Sequence, residues 1–252
     1  MMNYLITLMY DGAAYHGWQN QKNAVSVQEK VEAACASLFG CPITVYGCSR
    51  TDAGVHANCF KANFHAQKEM AFRQVVSALN FYLPDDIVVR DCRAVDEAFN
   101  ARFDCLSKEY IYKIYNDPLP DPFYNGRALQ YKYPLDAEKL DRQAADFAGK
   151  HDFSALRAIG STVKTTTRTV HYAHVERHGK EVIFRVAADG FLYNMVRIMA
   201  GTLLYISEGK LPWDSIPDII ASGDRLRAGK TLPPEGLYLN KVTYAFDMKE
   251  GD

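Results

Sequence analysis

The feature that most constrains the fold of this chain is the order in which strand-like and helix-like segments follow one another. In the first half, short apolar or alternating runs predict strands, and longer runs with one apolar face predict helices. The elements predicted there are strand 4–10, helix 27–39, strands 44–47 and 58–64, helix 70–82 and strand 87–94. This order, β-α-β-β-α-β, is typical of the ferredoxin-like unit.

The second half repeats the order without an obvious repeat of the sequence. The elements predicted there are strand 109–115, helix 137–149, strands 165–177 and 181–188, helix 194–208 and strand 237–246. We therefore predict an α+β fold of two ferredoxin-like (βαββαβ) units, with domains at 1–104 and 105–252. The proline-rich stretch 118–122 is interpreted as an insertion loop in the second unit.

Composition indicates an ordinary globular protein and excludes a strongly basic one. Lys and Arg total 29 against 30 for Asp and Glu, so the net charge is −1. This overall charge does not by itself indicate a nucleic-acid partner. An RNA-binding surface would therefore need basic residues gathered on one face. The alternative for each basic run is a solvated strand or helix face. The candidate residues are Lys164, Arg168, Arg177, Lys180, Arg225, Arg227 and Lys230.

The cysteines and the apolar stretches predict neither a metal site nor a membrane segment. The six cysteines show no C-x-x-C pair and no metal-ligand spacing, so they are expected to be reduced thiols in a cytoplasmic protein without cofactor or metal. The first ten residues lack the basic start and apolar run of a signal peptide. Asn194 and Arg197 interrupt the apolar run 190–207, which favours a buried helix over a membrane span.

A loop at residues 47–57 holds the strongest candidate for a reactive group. Asp52 lies between Gly47 and Gly54, with Arg50 two residues before it and His56 four residues after it. A carboxylate beside a cation stays ionised, which suits a nucleophile or a base. The alternative is a surface Asp-Gly loop with a salt bridge to its neighbour. His56 is a candidate base, although a histidine that packs a loop against a helix is favoured.

The string Gly-Cys-Ser-Arg-Thr-Asp-Ala-Gly-Val-His-Ala at 47–57 closely resembles the active-site signature of the TruA family of tRNA pseudouridine synthases. Further blocks resemble the same family in the same order. Ser49 replaces a usual glycine, and the segments around Lys61 and Lys230 also depart from the family pattern. None of these departures touches Asp52. The further blocks are residues 10–21, 26–28, 108–112, 151–154 and 190–197.

This resemblance implies an activity, a partner and an architecture. The expected reaction isomerises uridine to pseudouridine in the tRNA anticodon stem-loop, at positions 38, 39 and 40, after base flipping. Nothing is oxidised and nothing leaves, so no cofactor or metal is expected. The resemblance also implies sheets aligned around a central cleft, and a homodimer with tRNA lying across both subunits.

The resemblance further implies a role for each site residue. Asp52 would be the nucleophile, and Arg197 would pair with it. Tyr110 would stack on the flipped uracil, and Arg50 would fill the vacated space or hold the RNA backbone. The residues themselves leave alternatives open, because a strand tyrosine is usually core and a helix arginine can extend to the surface. A catalytically silent RNA-binding module and a nucleoside hydrolase are the rival functions.

Overall fold

The computed structural model describes residues 1–160, 163 and 165–248, and they form a mixed α+β fold, as predicted. The chain divides into two compact units. One comprises Met1–Leu106 with Tyr238–Asp252, and the other Ser107–Leu237. No helix among the described residues is both long and apolar enough to cross a membrane.

The first unit contains two helices and strands that are mostly antiparallel. Its elements are β1 (Met2–Tyr10), α1 (Val27–Phe39), β2 (Tyr46–Gly47), β3 (His56–Ala66), α2 (Phe72–Tyr82) and β4 (Ile87–Val95). Strand β1 pairs antiparallel with β3 and with β4, and β2 pairs antiparallel with β3. In the core, the buried rings of Tyr4 and Phe64 stack with their centroids 5.4 Å apart.

Helix α1 has the bounds that its sequence predicts because both of its ends carry local signals. The Ser26 hydroxyl accepts a hydrogen bond from the Glu29 backbone N at 3.2 Å and caps the first turn. Gly40 ends the helix in a left-handed conformation with φ of 74°, where a side chain is unfavourable. The apolar face between these ends packs inward and includes Val27 and Val31.

The second unit also combines strands with helices. Its elements are β5 (Ser107–Asn116), β6 (Leu129–Tyr131), α3 (Ala137–Ala144), β7 (Gly149–Asp152), β8 (Thr167–His178), β9 (Glu181–Ala188), α4 (Met195–Ser207) and α5 (Ile216–Ser222). Strand β9 pairs antiparallel with both β5 and β8, β7 pairs antiparallel with β8, and β6 pairs parallel with β5. The apolar stretch predicted to be a buried helix is α4.

The last strand, β10 (Leu237–Thr243), returns to the first unit. It pairs in parallel with the start of β3, with Tyr238 opposite His56 and Leu239 opposite Ala57. The predicted strand 237–246 ends earlier than expected, where Tyr244 N donates to the Asp247 carboxylate at 2.8 Å. Strand β10 thus lies against the strand that follows the Asp52 loop.

Four elements of the second unit, α3, β6, β7 and α5, differ from the prediction. The predicted helix 137–149 ends at Ala144; a 3-10 turn follows, and strand β7 begins at Gly149. Strand β7 depends on pairing with β8, for example Lys150 opposite Thr169, which no local pattern reveals. Strand β6 and helix α5 were not predicted. The ferredoxin-like assignment of both units and the domain boundaries stay predictions, and Lys164 lies outside the described residues.

Candidate functional site

Asp52 lies in a tight turn that leads into β3. The Val55 backbone N donates to Asp52 O at 3.1 Å and closes the turn. Gly54 has φ of 77°, a conformation that favours glycine and fits the third position of a type II turn. Asp52 is half-buried, whereas Arg50 is exposed. The backbone geometry therefore presents the carboxylate at a fixed place, and the arginine extends toward solvent.

A second segment, residues 10–18, holds this turn; we call it the clamp. The Gly54 N donates to Tyr15 O at 3.1 Å, and Trp18 N donates to Thr51 O at 3.2 Å. The hydroxyls of Tyr10 and Thr51 lie 2.9 Å apart in a buried hydrogen bond. The clamp and the Asp52 turn belong to two blocks of the resemblance, residues 10–21 and 47–57, and the fold brings them into direct contact.

Two glycines of the clamp allow this close approach. A Cβ added to Gly17 would lie 2.1 Å from Thr51 O, and one added to Gly12 would lie 1.9 Å from Val55 O. Any side chain at either position would displace the backbone of the Asp52 turn. Sequence reasoning did not assign these glycines to the site, although two glycines in a segment that resembles a family block were a usable signal.

Aromatic packing supports the start of the loop. Trp18 and Phe60 are both buried and stack with ring centroids 4.1 Å apart. A Cβ on Gly47 would lie 2.5 Å from the Trp18 ring, so the loop begins pressed against this stack. The Cys48 N donates to Lys61 O at 2.8 Å. Both Phe60 and Lys61, which depart from the family pattern, therefore contribute to the support of the loop.

His56 is a buried residue at the start of β3, with 1% of its surface exposed. Its ring stacks on Tyr238 with centroids 4.6 Å apart. The Gly12 N donates to His56 Nδ1 at 3.0 Å, and the Asp11 Oδ1 lies 3.1 Å from the same nitrogen. The favoured packing interpretation fits this burial, although the ring packs between strands and the clamp rather than against a helix.

Arg197 lies in the first turn of α4 and is half-buried. Its Nε donates to Leu232 O at 2.6 Å, and its Nη1 donates to Asn194 Oδ1 at 2.7 Å. Asn194 precedes the helix in a left-handed conformation with φ of 59°. The two hydrogen bonds fix the direction of the guanidinium. Sequence reasoning missed both partners; the asparagine before the helix was the available signal for one of them.

Tyr110 lies on β5 with 6% of its surface exposed, and its ring meets Phe191 edge-on at 5.1 Å. Two positions along the strand, the fully buried Tyr112 donates its hydroxyl to Pro233 O at 2.8 Å, and burial raises the pKa of this phenol. Arg197 and Tyr112 thus bind neighbouring carbonyls of one segment. Tyr110 and Arg197 belong to the second unit, whereas Asp52 and Arg50 belong to the first.

Several basic candidates already have partners. The Lys180 Nζ lies 2.7 Å from the Asp117 carboxylate, Arg177 donates to Asn116 Oδ1 at 2.8 Å, and Arg225 donates to Gly229 O at 2.9 Å. In the part of the chain that the structure describes, no group of three or more His, Cys, Asp or Glu side chains is placed to hold a metal ion.

Comparison with known proteins gives full-length relatives. A family model described as tRNA pseudouridine synthase matches residues 6–104 and 144–245. The tRNA pseudouridine synthase A of Acetivibrio thermocellus is 46% identical over 244 residues, which cover 97% of this chain and 100% of the relative. That of Thermoanaerobacter sp. (strain X514) is 43% identical with the same coverage. The tRNA pseudouridine synthase A 2 of Clostridium perfringens is 41% identical, again with 97% and 100% coverage.

Among solved structures, a chain of "Crystal Structure of a Cbf5-Nop10-Gar1 Complex" is 12% identical with a TM-score of 0.37, over 79% of this chain and 53% of that one. That likeness is too low to support an argument. The family predicted from the sequence blocks is nevertheless confirmed, because both the family model and the relatives span most of the chain. This chain therefore belongs to the tRNA pseudouridine synthases, isomerases that act on uridine in tRNA.

Proposed function

We propose that this enzyme modifies uridines 38, 39 and 40 of the tRNA anticodon stem-loop and that Asp52 is its nucleophile. The observation that carries the proposal is the way in which the clamp holds the Asp52 turn. Gly54 N and Thr51 O are bonded to the clamp at 3.1 and 3.2 Å, and no side chain fits between the two backbones at Gly12 or Gly17. Such rigid support is what a reactive carboxylate needs to meet one atom of a substrate.

The chemistry fits a carboxylate with this placement. The N-glycosidic bond of uridine breaks, the uracil turns, and a bond forms from C5 to the sugar, with loss of the C5 proton. The freed N1 of the uracil takes up a proton in place of the one lost from C5, so the product is an isomer of uridine and no electron is gained or lost. An ionised carboxylate can attack the sugar or the base and later leave, and half-burial of Asp52 keeps it reachable from outside the protein.

The other site residues complete this proposal. Tyr110 stacks on the flipped base, since an aromatic face is a general platform for nucleobases. Arg197 balances the charge of Asp52, and the two hydrogen bonds of its guanidinium support a fixed orientation for that task. The exposed Arg50 contacts the RNA backbone or fills the space that the base leaves.

The resemblance supports the wider arrangement that we propose. Two ferredoxin-like units, 1–104 and 105–252, would align their sheets around a common cleft, and a homodimer in the cytoplasm would bind one tRNA across both subunits. The element order of the first unit, β1-α1-β2-β3-α2-β4, is consistent with the ferredoxin-like part of this proposal.

A tritium-release assay tests the proposed function. Unmodified tRNA labelled at C5 of uracil is incubated with the enzyme, and released tritium is counted. We expect release from tRNA with uridines at 38, 39 or 40, and loss of release when these are replaced by cytidine. Release of tritium from the cytidine-substituted tRNA at the original rate would contradict the assignment of uridines 38, 39 and 40 as the substrates. Binding of tRNA without any release would favour a silent RNA-binding module.

A further inference from the structure

His56 joins the clamp through one ring nitrogen that has two competing neighbours. Its Nδ1 lies 3.0 Å from Gly12 N and 3.1 Å from Asp11 Oδ1. The Gly12 N–H needs the lone pair of an unprotonated Nδ1, whereas the Asp11 carboxylate needs a proton on the same atom. One protonation state therefore satisfies one contact at the expense of the other.

The Gly12 contact bears directly on the turn that carries Asp52. A Cβ on Gly12 would lie 1.9 Å from Val55 O, and Val55 N closes the turn on Asp52 O at 3.1 Å. Hydrogen bonds of Tyr10, Tyr15 and Trp18 also join the clamp to the loop. The Gly12 bond differs from these three because it ends on an imidazole, the side chain that titrates near neutral pH.

We propose that His56 is a positioning residue, which holds the Asp52 turn while its imidazole is neutral and releases Gly12 when Nδ1 takes up a proton and binds Asp11. Its burial at 1% exposure and its stack on Tyr238 leave the ring little freedom to satisfy both neighbours by moving. This inference rests on the proposed role of Asp52.

The groups around the imidazole set the sign of the pH dependence. Asp11 faces it from the end of β1 and Tyr238 from β10. Behind Asp11, the Tyr15 hydroxyl donates to the Asp86 carboxylate at 2.6 Å. Since protonation removes the acceptor of the Gly12 N–H, activity falls as pH falls. Since the Asp11 anion favours the imidazolium, removing its charge moves this loss to lower pH.

The test compares kcat and KM for tRNA between pH 5.5 and 8 in the wild type and three variants. His56→Asn places an amide oxygen near the Nδ1 position, so the acid-side loss of kcat should disappear. His56→Phe keeps a ring against Tyr238 without an acceptor, so kcat at pH 8 should fall about 10- to 100-fold with KM nearly unchanged. Asp11→Asn should move the acid-side loss to lower pH.

Several results would overturn the inference. They are a wild-type kcat that is flat over this pH range, an acid-side loss that persists in His56→Asn, and a His56→Phe kcat within about threefold of wild type. Thermal unfolding shows whether the His56 variants fold. If they do not, the test depends on Asp11→Asn, whose side chain is only half-buried. An acid-side loss of kcat at the same pH in Asp11→Asn as in the wild type would contradict the proposal. An active Asp52→Asn, assayed alongside, would instead refute the proposed function itself.

Discussion

Single residues on one strand of this enzyme have different environments. Tyr110 keeps 6% of its surface exposed and meets Phe191 edge-on, whereas Tyr112 is fully buried and bound to Pro233 O. A fully buried ring with a bonded hydroxyl serves the core. We therefore assign a structural role to Tyr112, whereas the stacking of the base on Tyr110 stays a proposal.

Substitution of Tyr110 distinguishes stacking from proton transfer. Tyr110→Ala should weaken the bound complex by about 1–3 kcal/mol because the stacked base loses its platform. Tyr110→Phe keeps the ring, so it should retain tRNA affinity but lose the chemical step if the hydroxyl relays the C5 proton. Single-turnover tritium release measures that step. A normal rate in Tyr110→Phe would reduce the residue to a stacking platform.

At this scale the sequence predicts residue types better than their partners. Asp52, Arg50 and His56 are recognisable because they lie in one uninterrupted string, and the resemblance of that whole string to the family signature carries the signal. The acceptor of Arg197 is a backbone carbonyl, Leu232 O, 35 positions away. Backbone carbonyls are present at every residue, so no sequence pattern could have singled out this one.

At the scale of elements, the site is built where two irregular segments meet. Both are loops, and both use glycine to bring their backbones into contact. Both ends of helix α1 were predictable, because the residues that cap and end it, Ser26 and Gly40, are its immediate neighbours in sequence. Strand β7 was not predicted, because a strand partner and not the local pattern determines it. The contact between the clamp and the Asp52 turn is non-local in the same sense.

A pair of glycine substitutions tests this contact. Gly17 and Gly40 both have positive φ, 83° and 74°, so alanine suffers similar backbone strain of about 1–2 kcal/mol at either position. A Cβ on Gly40 meets nothing within 4 Å, whereas one on Gly17 would lie 2.1 Å from Thr51 O. Gly17→Ala should therefore destabilise the fold by about 1–3 kcal/mol more than Gly40→Ala, measured by urea unfolding.

The same pair has a functional readout. Gly17→Ala should also lower kcat, because the Asp52 turn must shift to accommodate the new methyl group, while Gly40→Ala should leave kcat close to wild type. Equal stability losses together with equal kcat values in the two variants would mean that the close approach of the clamp does not support the site.

At the scale of the whole molecule, the site residues are divided between two compact units, with Asp52 in one and Arg197 in the other. The net charge of −1 gives no general attraction to RNA, so binding depends on local groups. The sequence predicted the α+β class because periodicity is a property of whole segments. It could not place the last strand, β10, beside β3, since that pairing joins distant parts of the chain.

A double-mutant cycle tests the proposed pairing of Asp52 with Arg197. Arg197→Met should destabilise the fold in any background, because Leu232 O and Asn194 lose a donor. If the two charges also meet, Asp52→Asn with Arg197→Met should be more stable than the sum of the single losses predicts. Urea unfolding of the four proteins gives the coupling energy. A value below about 0.5 kcal/mol would mean that the two side chains act independently.

The most direct measurement of the central claim is tritium release by Asp52→Asn. The amide keeps the shape of the carboxylate and the backbone turn, but it cannot act as an anionic nucleophile. We predict turnover below about one hundredth of wild type, with tRNA affinity within a few-fold because phosphate contacts supply most of it. Turnover close to wild type in a folded Asp52→Asn protein would contradict the assignment of Asp52 as the nucleophile.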